Sequence, residues 1–232
     1  HAAWFGLGAY SYALLSTKYQ LTSSLWITLP AAMLLSALAA FLVGMFVLRT
    51  RGMFYIMVTL AFAQIFYFVF HDVKALGGST DGINLRGKPD ASIGDFVPFN
   101  LGDTNTLYYF VLLLLAGVMV GMALLLRSPF GRALQGIREN EHRMTSIGFP
   151  VYRYKLAAFT LACSLAGLAG YLFAALSGGV IPELLSWHQS ADALLMLILG
   201  GFGRFWGGVV GAFGFALIKE VMMGLSQHWQ LW

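Results

Sequence analysis

Charge is scarce in this chain. Only 10% of its 232 residues are Asp, Glu, Lys or Arg, whereas a soluble domain carries about a quarter. With 59% of residues hydrophobic, that scarcity excludes an ordinary water-soluble fold and leaves an integral membrane protein. Cysteine is almost absent as well. The single Cys163 lies in an apolar run, which excludes a disulfide and any thiolate metal site. The five histidines, His1, His71, His142, His188 and His228, are scattered, and HExxH, CxxC and nucleophile-elbow motifs are missing, so no catalytic residue and no metal ligand is expected. A Gly-Lys-Ser/Thr phosphate loop is missing too, so no cofactor is expected in this chain. No signal peptide is visible. The start at His1, without Met and inside an apolar pattern, and the end at Trp232 read as a fragment trimmed at both ends.

What is there is a series of apolar runs without the ten-residue alternation of outer-membrane strands. Leu25–Leu48, Met53–His71, Thr106–Leu126 and Tyr154–Leu176 approach or exceed the roughly 20 residues that a helix needs to cross a bilayer. The opening HAAWFGLGAYSYALL reads as the latter part of another helix, with Gly6 and Gly8 permitting close backbone approach. Ser190–Gly200 is too short to cross and reads as a half-helix. The expected fold is all-α: a polytopic helical bundle of about six or seven crossing or half-crossing helices, forming one membrane domain over residues 1–232. The net charge of +4 sits at helix ends, which is a topology signal rather than a nucleic-acid footprint.

Between two of these runs lies a polar island, Arg127 to Lys155, holding six of the fourteen Lys and Arg residues: Arg127, Arg132, Arg138, Arg143, Arg153 and Lys155. At about 2.5 to 3.5 kcal/mol per charge at the bilayer centre it must face solvent. Ser128 as N-cap, Pro129 at the first position and a stop at Gly148–Pro150 predict a short helix over 129–148. Glu139 and Arg143 are spaced i,i+4, and Ala133, Leu134, Ile137, Met144 and Ile147 form a narrow apolar stripe that leaves one face to dock on something.

A few other residues stand out. In the 53–71 run Met57, Gln64, Tyr67 and His71 fall on one helical face; Gln64 either lines a substrate path or hydrogen-bonds to a neighbouring helix, the second being preferred. Thr59 lies off that stripe and is expected to bond its own backbone. In the 72–105 loop Gly77, Gly78, Asp81 and Gly82 are turn residues that tolerate positive φ, read first as a surface turn and otherwise as part of a gate. Ser190 reads as a cap with Asp192 in the first turn behind it, offsetting the helix dipole unless it contacts substrate or a proton. Gly203, Gly207 and Gly211 recur every four residues as a helix-packing face.

The string GRALQGIRENE, then IG, then RYKLAAF, resembles the cytoplasmic coupling loop of permeases of the branched-chain amino-acid type of ABC importer. RGMFYIMVTLAFAQI is similar to the M-type permease of that family as distinct from its H-type partner, and HAAWFGLGAY and GGFGRFWGGVVGAFG are similar to further stretches of it. Arg204 and Gly208 depart from the family's usual small polar residue and proline. The resemblance implies that the island helix sits in a groove of an ATPase subunit, with Arg132, Ile137, Arg138, Glu139, Glu141, Met144 and Gly148 at the coupling site. It further implies an H-type permease as heterodimer partner, two cytoplasmic ATPases carrying ATP and Mg, a periplasmic or extracellular binding protein, and a bacterial inner membrane.

Nine Lys and Arg residues, Arg49, Arg51, the six of the island and Arg204, fall on one side, against Lys18, Lys74, Arg86, Lys88 and Lys219 elsewhere. The positive-inside rule then places the 128–152 loop in the cytoplasm and the 72–105 loop outside. Expected is a permease subunit carrying branched-chain or related hydrophobic amino acids. The alternatives are a permease of the same family for urea, short amides or another small solute, and, from another class, an ion-driven secondary transporter. The spans hold almost no ionisable residue besides Lys219 and Glu220, which argues against ion coupling.

Overall fold

The structure, a computed structural model, describes residues 1–19, 24–50, 52–73, 82–85, 87, 89–90, 103–201, 203 and 205–225. The turn residues Gly77, Gly78 and Asp81 lie outside the described residues, as do Arg51, Lys74, Arg86, Lys88 and Arg204. Two compact units divide the chain, His1–Leu185 and Ser186–Trp232, and each is described by itself.

The first unit contains α1 (Ala2–Ala13), which runs on as a π-helical turn (Leu14–Lys18), α2 (Leu25–Val47), α3 (Met53–Asp72), α4 (Thr104–Arg127), α5 (Pro129–Glu139), α6 (Glu141–Ser146) and α7 (Val151–Ser177). Four of these, α2, α3, α4 and α7, are long and apolar enough to cross a membrane. They fall where the apolar runs predict, within about three residues at each end. The all-α expectation holds but for two two-residue strands, β1 (Ile83–Asn84) and β2 (Gly179–Val180), paired antiparallel with Ile83 opposite Val180. Gly82 makes that pairing possible: its φ is +69, and a Cβ there would overlap the Val180 carbonyl.

The middle of this unit is its shortest apolar helix. α1 buries Trp4, Gly6, Gly8, Tyr10 and Tyr12 among others, between α2, α3, α7 and a 3-10 turn (Pro182–Leu185) that brings the fully buried Leu185 against Gly6. Small residues set the spacing. A Cβ on Gly8 would overlap the Gly167 carbonyl, one on Gly170 the Phe5 carbonyl, and one on Gly167 the Ser36 side chain, so backbones touch where lipid-embedded helices gain from close approach. Among the small residues of α7, Gly167, Gly170 and Ala174 are buried in this packing, while Ala169 is exposed.

Polar atoms in this core are mostly paired. The Thr28 hydroxyl donates to Ser24 O (2.9 Å) and lies 2.8 Å from Tyr171 Oη, which therefore donates to Thr28 Oγ1. Tyr12 Oη donates to Gly87 O at 3.0 Å. Tyr10 Oη and Ser36 Oγ are buried with no hydrogen-bond partner among the described residues. At the other end of the bundle, Tyr152 Oη at the start of α7 donates to Met45 O in the last turn of α2 at 2.9 Å. This brings the Arg49 end of α2 and the island to one face.

The second unit pairs α8 (Trp187–Gly200) with α9 (Gly207–Leu225). α8 begins three residues before Ser190, so Ser186 is its N-cap and Asp192 falls in the second turn rather than the first. The dipole argument for Asp192 weakens accordingly, because the effect fades within one turn. Even so extended, α8 is about 21 Å long and short of a crossing. Gly203 is not on the helix face assigned to it: it sits in the turn before α9 with φ +88. Gly200 takes its place, since a Cβ there would overlap the Gly207 carbonyl, and one on Gly211 would overlap Met196 O.

Candidate functional site

The island is ordered but is two helices, not one. Ser128 caps α5 as expected: its Oγ accepts from Gly131 N at 3.4 Å, donates to Leu125 O at 2.6 Å, and precedes Pro129 at the first helical position. The helix then breaks at Asn140, whose φ is −154 and whose Oδ1 accepts from Arg143 N at 3.0 Å to cap α6. An asparagine that bonds its own backbone competes with the helix it interrupts. Glu139 and Arg143 therefore do not share a helix, and their expected i,i+4 pairing is lost.

α6 ends on Gly148. With φ +93, its N–H donates to Thr145 O at 2.9 Å while Phe149 N–H donates to Met144 O at 3.1 Å. These two bonds form a Schellman turn, which needs positive φ at this position. Aromatic packing follows on from the turn: Phe149 lies 6.0 Å from the Tyr154 ring, and Phe130 stacks on that ring at 5.5 Å.

The apolar stripe points inward up to Met144. Ala133 and Ile137 are buried at 6% exposure each, Met144 is half-buried, and its Sδ is 3.0 Å from where a Cβ on Gly136 would stand. Ile137 is therefore no free anchor for a partner groove. The stripe joins α5 and α6 to each other and to their own chain. Glu141 likewise turns home, its Oε2 2.6 Å from Lys155 Nζ of α7. Facing solvent are Arg132, Arg138, Glu139, Arg143 and Ile147, the last 63% exposed. The surface open to a partner is thus a rim of charge with one aliphatic side chain beside Gly148.

The other candidates separate. On α3, Tyr67 packs against the core and stacks on His71 at 5.7 Å, and His71 Nδ1 lies 2.7 Å from Asp72 Oδ1. Met57 is 65% exposed. Gln64 is half-buried and makes no hydrogen bond among the described residues, so the inter-helix bond preferred for it is not made within them. Thr59 Oγ1 donates to Ile56 O at 2.8 Å, the local bond expected of it. Asp192 is half-buried in α8. Two features carried no sequence signal: the break at Asn140 and the inward turn of the stripe.

Four helices long and apolar enough to cross a membrane, with one ordered, charged elbow between two of them, make a multi-pass membrane protein. Residues 1–231 match the family described as branched-chain amino acid transport system / permease component, and the chain belongs to that family. It is 33% identical over 98% of its length to the high-affinity branched-chain amino acid transport system permease protein LivM of Salmonella typhimurium, and 31% identical over the same share to LivM of Escherichia coli. It covers 57% of each, so it spans little more than half the length of these relatives. Over 62% of its length it is 33% identical to the autoinducer 2 import system permease protein LsrC of Klebsiella pneumoniae, 42% of which it covers. No solved structure matches.

Proposed function

We propose that the chain is the M-type permease subunit of an ABC importer of the bacterial inner membrane, carrying branched-chain or related hydrophobic amino acids. In this reading it pairs with an H-type permease, two cytoplasmic ATPases that bind ATP and Mg supply the energy, and a periplasmic or extracellular binding protein delivers the solute. The 128–152 loop is cytoplasmic and the 72–105 loop external.

The observation that most supports the reading is the island itself. Two short helices capped by Ser128, Asn140 and Gly148, and tied to α7 through Lys155 and Tyr154, are a larger investment in order than a mere connector needs. Their outward rim of Arg132, Arg138, Glu139 and Arg143 meets the polar surface of a soluble ATPase more readily than lipid. The 2.9 Å bond from Tyr152 to Met45 supports the side assignment, because it puts Arg49 with the six island cations.

The test is reconstitution in liposomes with the H-type permease, both ATPases and the binding protein. Leucine uptake that needs ATP and the binding protein is the expected outcome. Uphill uptake by this chain alone on an ion gradient would establish the secondary transporter instead. Because one relative is named for autoinducer 2 import, urea and short amides are offered in the same assay to read the cargo.

A further inference from the structure

α3 divides its faces in a way that its composition hides. At 100° per residue, Tyr55, Val58, Phe62, Phe66 and Phe70, which pack against the rest of the unit, fall in one arc, and Tyr67, which also packs there, lies between that arc and the opposite one. Met57, Leu60 and Gln64 fall in the opposite arc, where Met57 and Leu60 are 65% and 46% exposed and Gln64 is half-buried. Gln64 is the twelfth of the twenty residues of α3, near the middle of the crossing. Its amide has four hydrogen-bonding sites and meets none of them among the described residues. Facing hydrocarbon, such a group costs several kcal/mol, so that arc is not turned to lipid tails.

We infer that the Met57–Leu60–Gln64 face of α3 lines the water-filled passage through which the solute crosses. The inference rests on the permease reading and refines it. Its chemistry suits a zwitterion with an aliphatic side chain: the Gln64 amide offers a donor to a carboxylate and an acceptor to an ammonium group. Leu60 and Met57, one and two turns away, offer an adaptable apolar wall. Water solvates the amide when no solute is present, which accounts for a mid-membrane glutamine with no hydrogen-bond partner among the described residues.

The experiment uses the assembled transporter in phosphatidylethanolamine–phosphatidylglycerol liposomes, with Cys163→Ala as background. Gln64→Cys is exposed to a membrane-impermeant cationic thiosulfonate, with Leu113→Cys on the exposed surface of α4 as the lipid-facing control. Modification at position 64 at least about tenfold faster than at 113, slowed by leucine-loaded binding protein and ATP, is expected, since the thiolate reacts only where water reaches it. In uptake, Gln64→Leu should lose about tenfold or more and Gln64→Asn should recover most of it, because the lost contact is a hydrogen bond of about 1.5 kcal/mol or more to a charged group. Equal labelling at 64 and 113 in an assembly that still transports overturns the inference and leaves the permease reading standing. Fast labelling at 64 in an assembly that fails to move any amino acid keeps the aqueous lining and overturns the cargo instead.

Discussion

Replacing Gly148 by Val tests the island at its most constrained joint. Gly148 holds φ +93, and no atom lies within 4 Å of where its Cβ would stand, so the substitution meets no clash and its cost is wholly conformational. That cost is about 1–3 kcal/mol for a β-branched residue at positive φ. What resists it is of the same size, because the two bonds of the Schellman turn, 2.9 and 3.1 Å long, are together worth about 1–3 kcal/mol net. The turn therefore opens rather than carrying the strain. Phe149 then leaves the Tyr154 ring, and α6, only six residues long, loses the end that directs it. The crossing helices lie outside this event. The assay is leucine uptake beside binding-protein-stimulated ATP hydrolysis in the reconstituted complex, with the thermal midpoint as a check on folding. Uptake should fall by about tenfold or more while the midpoint moves by only a few degrees, and Gly148→Asn, which tolerates positive φ, should fall between. Normal uptake by Gly148→Val with the ATPases still bound refutes the coupling role.

Two further substitutions probe the bundle. Gly8→Leu forces a side chain into the Gly167 carbonyl and should abolish a monodisperse peak on size exclusion in detergent, whereas Gly117→Ala on α4, where nothing lies within 4 Å, should leave it unchanged. Tyr10→Phe removes a buried hydroxyl that has no partner among the described residues and should hold or raise the thermal midpoint; Tyr171→Phe breaks the 2.8 Å bond to Thr28 and should lower stability by about 0.5–1.5 kcal/mol.

The crossing helices were legible because only apolar runs of their length survive in lipid, and the ends of the island were legible because Ser128 and Gly148 are punctuation with a mechanism. Asn140 was not. Asparagine inside a helical pattern costs little by propensity, so nothing in the string distinguishes a tolerated asparagine from one that caps a new helix. The direction of the Ile137 stripe was hidden for a related reason: an apolar face announces that it will be covered, not by whom. The central place of α1 was hidden too, since buried and lipid-facing residues are equally apolar; only Gly6 and Gly8 hinted at it. The pairing of Ile83 with Val180 spans two residues and has no periodicity to read.

The seam where Gly8 and Phe5 of α1 meet Gly167 and Gly170 of α7 has an entropic consequence. Glycine and alanine have no rotamers to lose when buried, so these helices come together without the side-chain ordering that a leucine-filled seam requires. Lipid provides no hydrophobic drive between them either. What holds the seam is short-range dispersion between backbones, which forfeits a quarter to a half of its strength over a gap of about 0.5–1 Å. Such a contact is kept whole or lost whole. α1 and α7 therefore hold together as one piece, whereas α3 and α4 bury almost none of their surface among the described residues.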